Sequence, residues 1–143
     1  MVGVVTQGMA AGGTTFVLLE GCIYDQQSML LTSKVGGAAQ AGQVFRLDLE
    51  QDTLELIYES TGYGSFSGPD NIIISPGGSL MICENRLGLF DKGQYIAGPN
   101  AADGLFAFCQ INSALRASFA GHDLNATAVS SEWAGVCFLA DGE

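Results

Sequence analysis

Residues 68–84 read GPDNIIISPGGSLMICE, and this stretch decides the fold class. Asn71 to Ser75 is rich in β-branched residues, which suit a pleated, half-buried surface. Pro76-Gly77-Gly78 is turn punctuation. Ser79 to Cys83 is an apolar run too short for a helix and is expected as a second, buried strand. The hairpin this makes returns Glu84 to the sheet edge that carries Asp70. Two acidic residues at one rim form a place for hard cations or phosphate chemistry.

Working outward, the same grammar repeats. Twenty glycines lie scattered between short apolar runs, and helix signals are thin. Turn signals every eight to twelve residues argue for an all-β fold. Strands are expected at Gly21–Asp25, Met29–Ser33, Gln43–Leu49, Leu54–Glu59, Asn71–Ser75, Leu80–Cys83, Leu87–Phe90, Tyr95–Ala97, Leu105–Gln110 and Ala134–Leu139. Asp25 to Ser28, Glu50 to Asp52, Pro76 to Gly78 and Asp91 to Gly93 supply the turns. Residues 36–42, GGAAQAG, are expected as a flexible loop on the channel face or at a rim, and residues 112–131 as an irregular insertion.

An internal repeat emerges when these strands are stacked. Glu20-Gly21-Cys22-Ile23-Tyr24 opens one unit, Asp70-Asn71-Ile72-Ile73-Ile74 a second and Glu132-Trp133-Ala134-Gly135-Val136 a third. The period is on the order of 50 to 60 residues, as for four-stranded propeller blades. Each unit carries an acid just before its innermost strand, the position that faces the channel of a propeller. The expected architecture is thus a partial β-propeller: two four-stranded blades plus the first strand of a third, over residues 19–143. Residues 1–18 form a less defined N-terminal segment. A propeller needs at least about four blades, so the chain reads as a fragment, and unpaired blades invite self-association.

Composition narrows the function. The chain is 48% hydrophobic with 15 acidic and 5 basic residues, a net charge of −10, and mean hydropathy +0.28. Nucleic-acid binding needs a clustered basic face, and Lys34, Arg46, Arg86, Lys92 and Arg116 do not make one. No run approaches the roughly 18 to 20 apolar residues of a transmembrane segment. Cys22, Cys83, Cys109 and Cys137 lack C-x-x-C spacing and His122 stands alone, against structural zinc. Buried thiols are the plain reading of the strand cysteines, with a disulfide left open. No G-x-S-x-G elbow, P-loop or dinucleotide fingerprint is present. Oxygen-rich rims suit hard cations. An acid at a strand end is also commonly a solvated rim residue, and Asp70 is read first as an acceptor of backbone hydrogen bonds in its turn. Arg86 either reaches the rim to hold phosphate or faces solvent.

Several segments, in order, resemble the PhoX-type alkaline phosphatases of bacteria. Residues 19–25 (LEGCIYD), 42–48 (GQVFRLD), 53–60 (TLELIYES), 68–84 and 132–138 (EWAGVCF), followed by Asp141-Gly142, carry that resemblance, which spans Leu19 to Glu143. It implies a propeller of about six blades. It also implies a calcium and iron cluster in the channel, hydrolysis of small-molecule phosphomonoesters, and Glu20, Glu84 and Glu132 as metal ligands. Asp70 is the weaker candidate ligand and Arg86 a weak catalytic one. Relatives are periplasmic or secreted, exported by a twin-arginine signal. Residues 1–15, MVGVVTQGMAAGGTT, show neither twin arginines nor a signal peptide. A truncated gene product or a cytoplasmic form is the corresponding expectation.

Overall fold

A computed structural model describes residues 3–62, 65–85, 95–99, 105–110, 118–119, 122–123 and 135–139. The chain is mostly β. Two four-stranded antiparallel sheets follow one another, each a meander in sequence order. The first sheet holds β1 (Leu19–Asp25), β2 (Ser28–Ser33), β3 (Gln43–Asp48) and β4 (Thr53–Glu59). The second holds β5 (Pro69–Ile74), β6 (Leu80–Glu84), β7 (Tyr95–Pro99) and β8 (Leu105–Gln110). A two-residue pair, β9 (Ser118–Phe119) and β10 (His122–Asp123), stands apart. Before them, α1 (Val4–Ala10) is a short helix with no buried residue, in a segment where the sequence promised no element.

Turn chemistry explains the meanders. β1 and β2 meet across Asp25↔Ser28, and both central residues, Gln26 and Gln27, have positive φ (42° and 64°). That matches the mirror-image two-residue turn whose twist fits a right-handed hairpin. Between β3 and β4, Asp48 Oδ1 accepts the Glu50 and Gln51 N–H groups, each at 2.9 Å. These bonds hold the Asp48 carboxyl below its ordinary pKa, the Gln51 bond most. Between β5 and β6, Ser75 Oγ accepts the Ser79 N–H and Gly78 takes φ +81°.

The sheets stack face to face. Val44, Phe66, Ile82 and Ala97 are buried between them, with Ile57, Tyr58, Ile72 and Leu80 packed around. The other face of the second sheet is covered too. Met81, Cys83 and Ile96 are buried there against Val136 and Phe138. β1 and β2 lie against β5, so the two opening strands are central to the stack.

Some expectations need correction. Residues 135–139, expected within a strand over Ala134–Leu139, pair with neither sheet. They contribute through packing of Val136 and Phe138 instead. Glu20 and Asp70 lie inside β1 and β5 rather than before them. The glycine-rich loop is stitched down rather than flexible: Gly42 donates to the Gly36 carbonyl, Gly68 to that of Ala41, and Ser60 to that of Gly42. Gly42 sits at φ +114°, wedged between Pro69 and the Lys34 carbonyl, where no side chain fits. The four cysteines are free, and Cys22 and Cys137 are exposed rather than buried. The expected strand Leu87–Phe90 and turn Asp91–Gly93 lie outside the described residues.

Candidate functional site

β1 and β5 open in the same way. On β1 the register runs Leu19↔Ser33 and then Cys22↔Leu31. On β5 it runs Pro69↔Glu84 and then Ile72↔Ile82. Each strand therefore carries a bulge directly after its first residue, a device that re-aims side chains at a sheet end. The acids Glu20 and Asp70 occupy the same place in the two bulges. By this register Ser33 corresponds to Glu84, and Lys34 to Asn85.

Here the two sheets touch backbone to backbone. A Cβ on Gly21 would collide with the Asp70 carbonyl oxygen and with the Ile72 side chain. Thr32, fully buried, ties the seam. Its Oγ1 accepts the Gly21 N–H at 2.7 Å and donates to the Asp70 carbonyl at 2.6 Å.

Lys34 closes the site. Its residue is 8% exposed, and its Nζ lies 3.1 Å from Asp70 Oδ2 and 3.9 Å from Glu20 Oε1. Asn85 Nδ2 donates to the same Asp70 Oδ2 at 3.0 Å, and Asn71 Nδ2 to Asp70 Oδ1 at 3.0 Å. Burying a lone carboxylate is costly, so the ammonium and the two amides are what let Asp70 sit inside. Glu84 is fully buried, and its Oε1 accepts the Ser67 N–H at 2.8 Å. The Ser67 hydroxyl beside it is buried without a hydrogen-bond partner among the described residues.

The predicted site residues therefore divide. Asp70 and Glu84 share one rim, as the hairpin required, and Glu20 joins them across the sheets through Lys34. Asp70 takes side-chain donors, not the backbone donors of a turn. Among the described residues, no three acid, histidine or cysteine side chains converge as a metal cage. Glu132 and Arg86 lie outside the described residues. The oxygen-only donor chemistry of Glu20 and Glu84 is of the kind hard cations such as calcium take, whereas Asp70 already has its charge met by Lys34. Sequence reasoning missed Lys34. The available signal was positional: it follows β2 as Asn85 follows β6.

Two further groups are shifted, in opposite directions. The Ala38 N–H, and then the Gln43 amide, hold the Glu59 carboxyl below its ordinary pKa. Burial foremost, then the charge of Asp70 and the neighbouring Cys109, push the Cys83 thiol up to about 11.

Comparison with family models, with curated proteins and with solved structures finds no match.

Proposed function

We propose that this chain is part of a propeller-type, metal-dependent phosphomonoester hydrolase of the PhoX kind. The observation that carries the reading is the pair of matching bulges. They bring an acid from each of two repeated sheets to one rim, Asp70 buried and Glu20 exposed, with Lys34 between them. Two stacked meanders with their opening strands adjacent are the arrangement expected of neighbouring blades. In this reading Glu20, Glu84 and Glu132 hold calcium and iron. The bound metals would neutralise phosphoryl oxygens and polarise the ester.

Lys34 serves the same chemistry from the protein side. A compact ammonium donates to phosphate as a point charge, and at this rim it stands beside the acids the resemblance assigns to the metals. Arg86 follows Glu84 by two residues and is the second candidate anion contact.

A second reading has its own support. Lys34, Asp70, Asn85 and Thr32 form a satisfied buried network between the sheets, and such a network holds a scaffold together without catalysing anything. An assay separates the two. A generic phosphomonoester is incubated with the chain, calcium and iron, then with a chelator added. Turnover that the chelator abolishes supports the hydrolase. A soluble, folded chain without turnover, and without a change in melting temperature on adding either metal, supports the scaffold.

A further inference from the structure

The face of the first sheet turned away from the second is apolar from edge to edge. Registry aligns Cys22, Leu31, Phe45 and Leu56 in one row across β1 to β4, and Tyr24, Met29, Leu47 and Leu54 in the next. No charged residue occupies these eight positions. Tyr24, Leu54 and Leu56 are 58%, 41% and 47% exposed. Among the described residues one aromatic crosses this face, Phe16, packed edge-on to Phe45 with centroids 5.2 Å apart. Beside it α1 presents Val5 and Met9 to solvent, and these two, with Phe16 and Leu19, line a hollow of about 290 Å³. A contiguous apolar patch of this kind marks an interaction surface.

We propose that this face is covered by a second copy of the chain, sheet against sheet about a two-fold axis. The inference rests on the chain standing outside a closed ring, because in a complete propeller a further blade would cover this face. Two arguments select the occupant. The first is charge. Each copy carries −10, so copies repel through most of their surface, and a face without charge is where they can meet. The second is area. Four strands and two rows span about 20 by 14 Å. With the bulk of the side chains and the α1 rim this gives roughly 500 Å² per copy, about 1,000 Å² in all, the lower end for a specific interface. Packing of two such faces about 10 Å apart is the ordinary geometry of a β-sandwich. A like-to-like contact is closed, so it ends at the dimer.

Sedimentation from about 1 µM to about 1 mM, the range an interface of this size occupies, tests it. The expected mass rises from 14.9 kDa towards twice that value. The rise shifts to lower concentration at about 0.5 M salt, where the repulsion is screened. Leu56→Lys holds the chain monomeric, while Phe108→Lys, at an exposed position on β8, leaves association unchanged. The unmodified chain offers a reading that needs no variant. Cys22 and Cys137 are both exposed, but Cys22 lies on the proposed interface. Maleimide labelling of Cys22 is expected to slow with concentration in proportion to the remaining monomer, with Cys137 unaffected. A mass fixed at the monomer, association that survives Leu56→Lys or is lost in Phe108→Lys, or concentration-independent Cys22 labelling overturns the proposal. Vesicle binding by a persistent monomer would also overturn it, in favour of a lipid surface.

Discussion

The two sheets are built alike and buried differently. Both are four-stranded meanders, both open with a bulge after the first residue, and both place an acid in that bulge. Yet the second sheet is covered on both faces, by the first sheet and by Val136 and Phe138, while among the described residues the first is packed by a sheet on one face alone. Their sequences are comparably apolar: β2 reads SMLLTS and β6 reads LMICE. Burial here follows position in the stack rather than local hydrophobicity. The free energy a side chain contributes follows with it, because that term scales with area removed from water.

The sharpest way to break this comparison is to truncate one residue in each sheet. Ile82 is fully buried between the sheets, and Ile82→Ala should cost about 3–5 kcal/mol through lost transfer energy and the cavity left behind. Leu56→Ala, on the open face, should cost less than about 1 kcal/mol when measured on dilute monomer. Urea midpoints for both variants check the pair, and equal losses would show that the first sheet's outer face is already covered within the monomer.

The seam between the sheets gives the next largest effect. Lys34→Met removes the cation from a buried carboxylate and should cost about 2–4 kcal/mol, because Asp70 is left uncompensated. Adding Asp70→Asn should restore most of that loss, since the charge needing compensation is gone. Thermal melts of the single and double variants test this. If the double variant is as unstable as Lys34→Met alone, Lys34 holds the sheets by something other than its bond to Asp70.

The smallest effect contrasts a cysteine from each sheet. Cys83 on β6 is buried and its thiol sits at about 11, so at pH 8 its thiolate is roughly 100-fold rarer than for an ordinary thiol. Cys22 on β1 is exposed. Alkylation of the native chain, read by mass spectrometry, should modify Cys22 well before Cys83. The sign for stability follows from the raised value. The folded state holds the Cys83 proton more tightly, so its contribution is full below the model-compound value of 9.0 and is lost as pH rises towards about 11.

Much of this architecture was legible in the residues. Turn chemistry at Asp25 to Ser28, Glu50 to Asp52 and Pro76 to Gly78 located the hairpins, and the short apolar runs between turns located β1 to β8 to within two residues. The segment 135–139 misled because a short apolar run marks an extended segment without saying whether a partner strand supplies hydrogen bonds. The rim was half legible. The hairpin's geometry dictates that Asp70 and Glu84 share an edge. That Lys34 meets Asp70 depends on how two sheets dock 36 residues apart, and local pattern carries no such information. The loop at residues 36–42 misled for a related reason: its glycines look like freedom, but Gly42 serves a close approach to Pro69.

Gly21 carries a further consequence. Its missing side chain lets the backbone of β1 rest against the carbonyl of Asp70, so a single hydrogen atom sets how far the two sheets open at the rim. A methyl group there would act as a wedge, tilting one sheet on the other about the Ile82 core and drawing Lys34 away from Asp70. The inclination of sheet to sheet at the rim is written into one position where nothing protrudes.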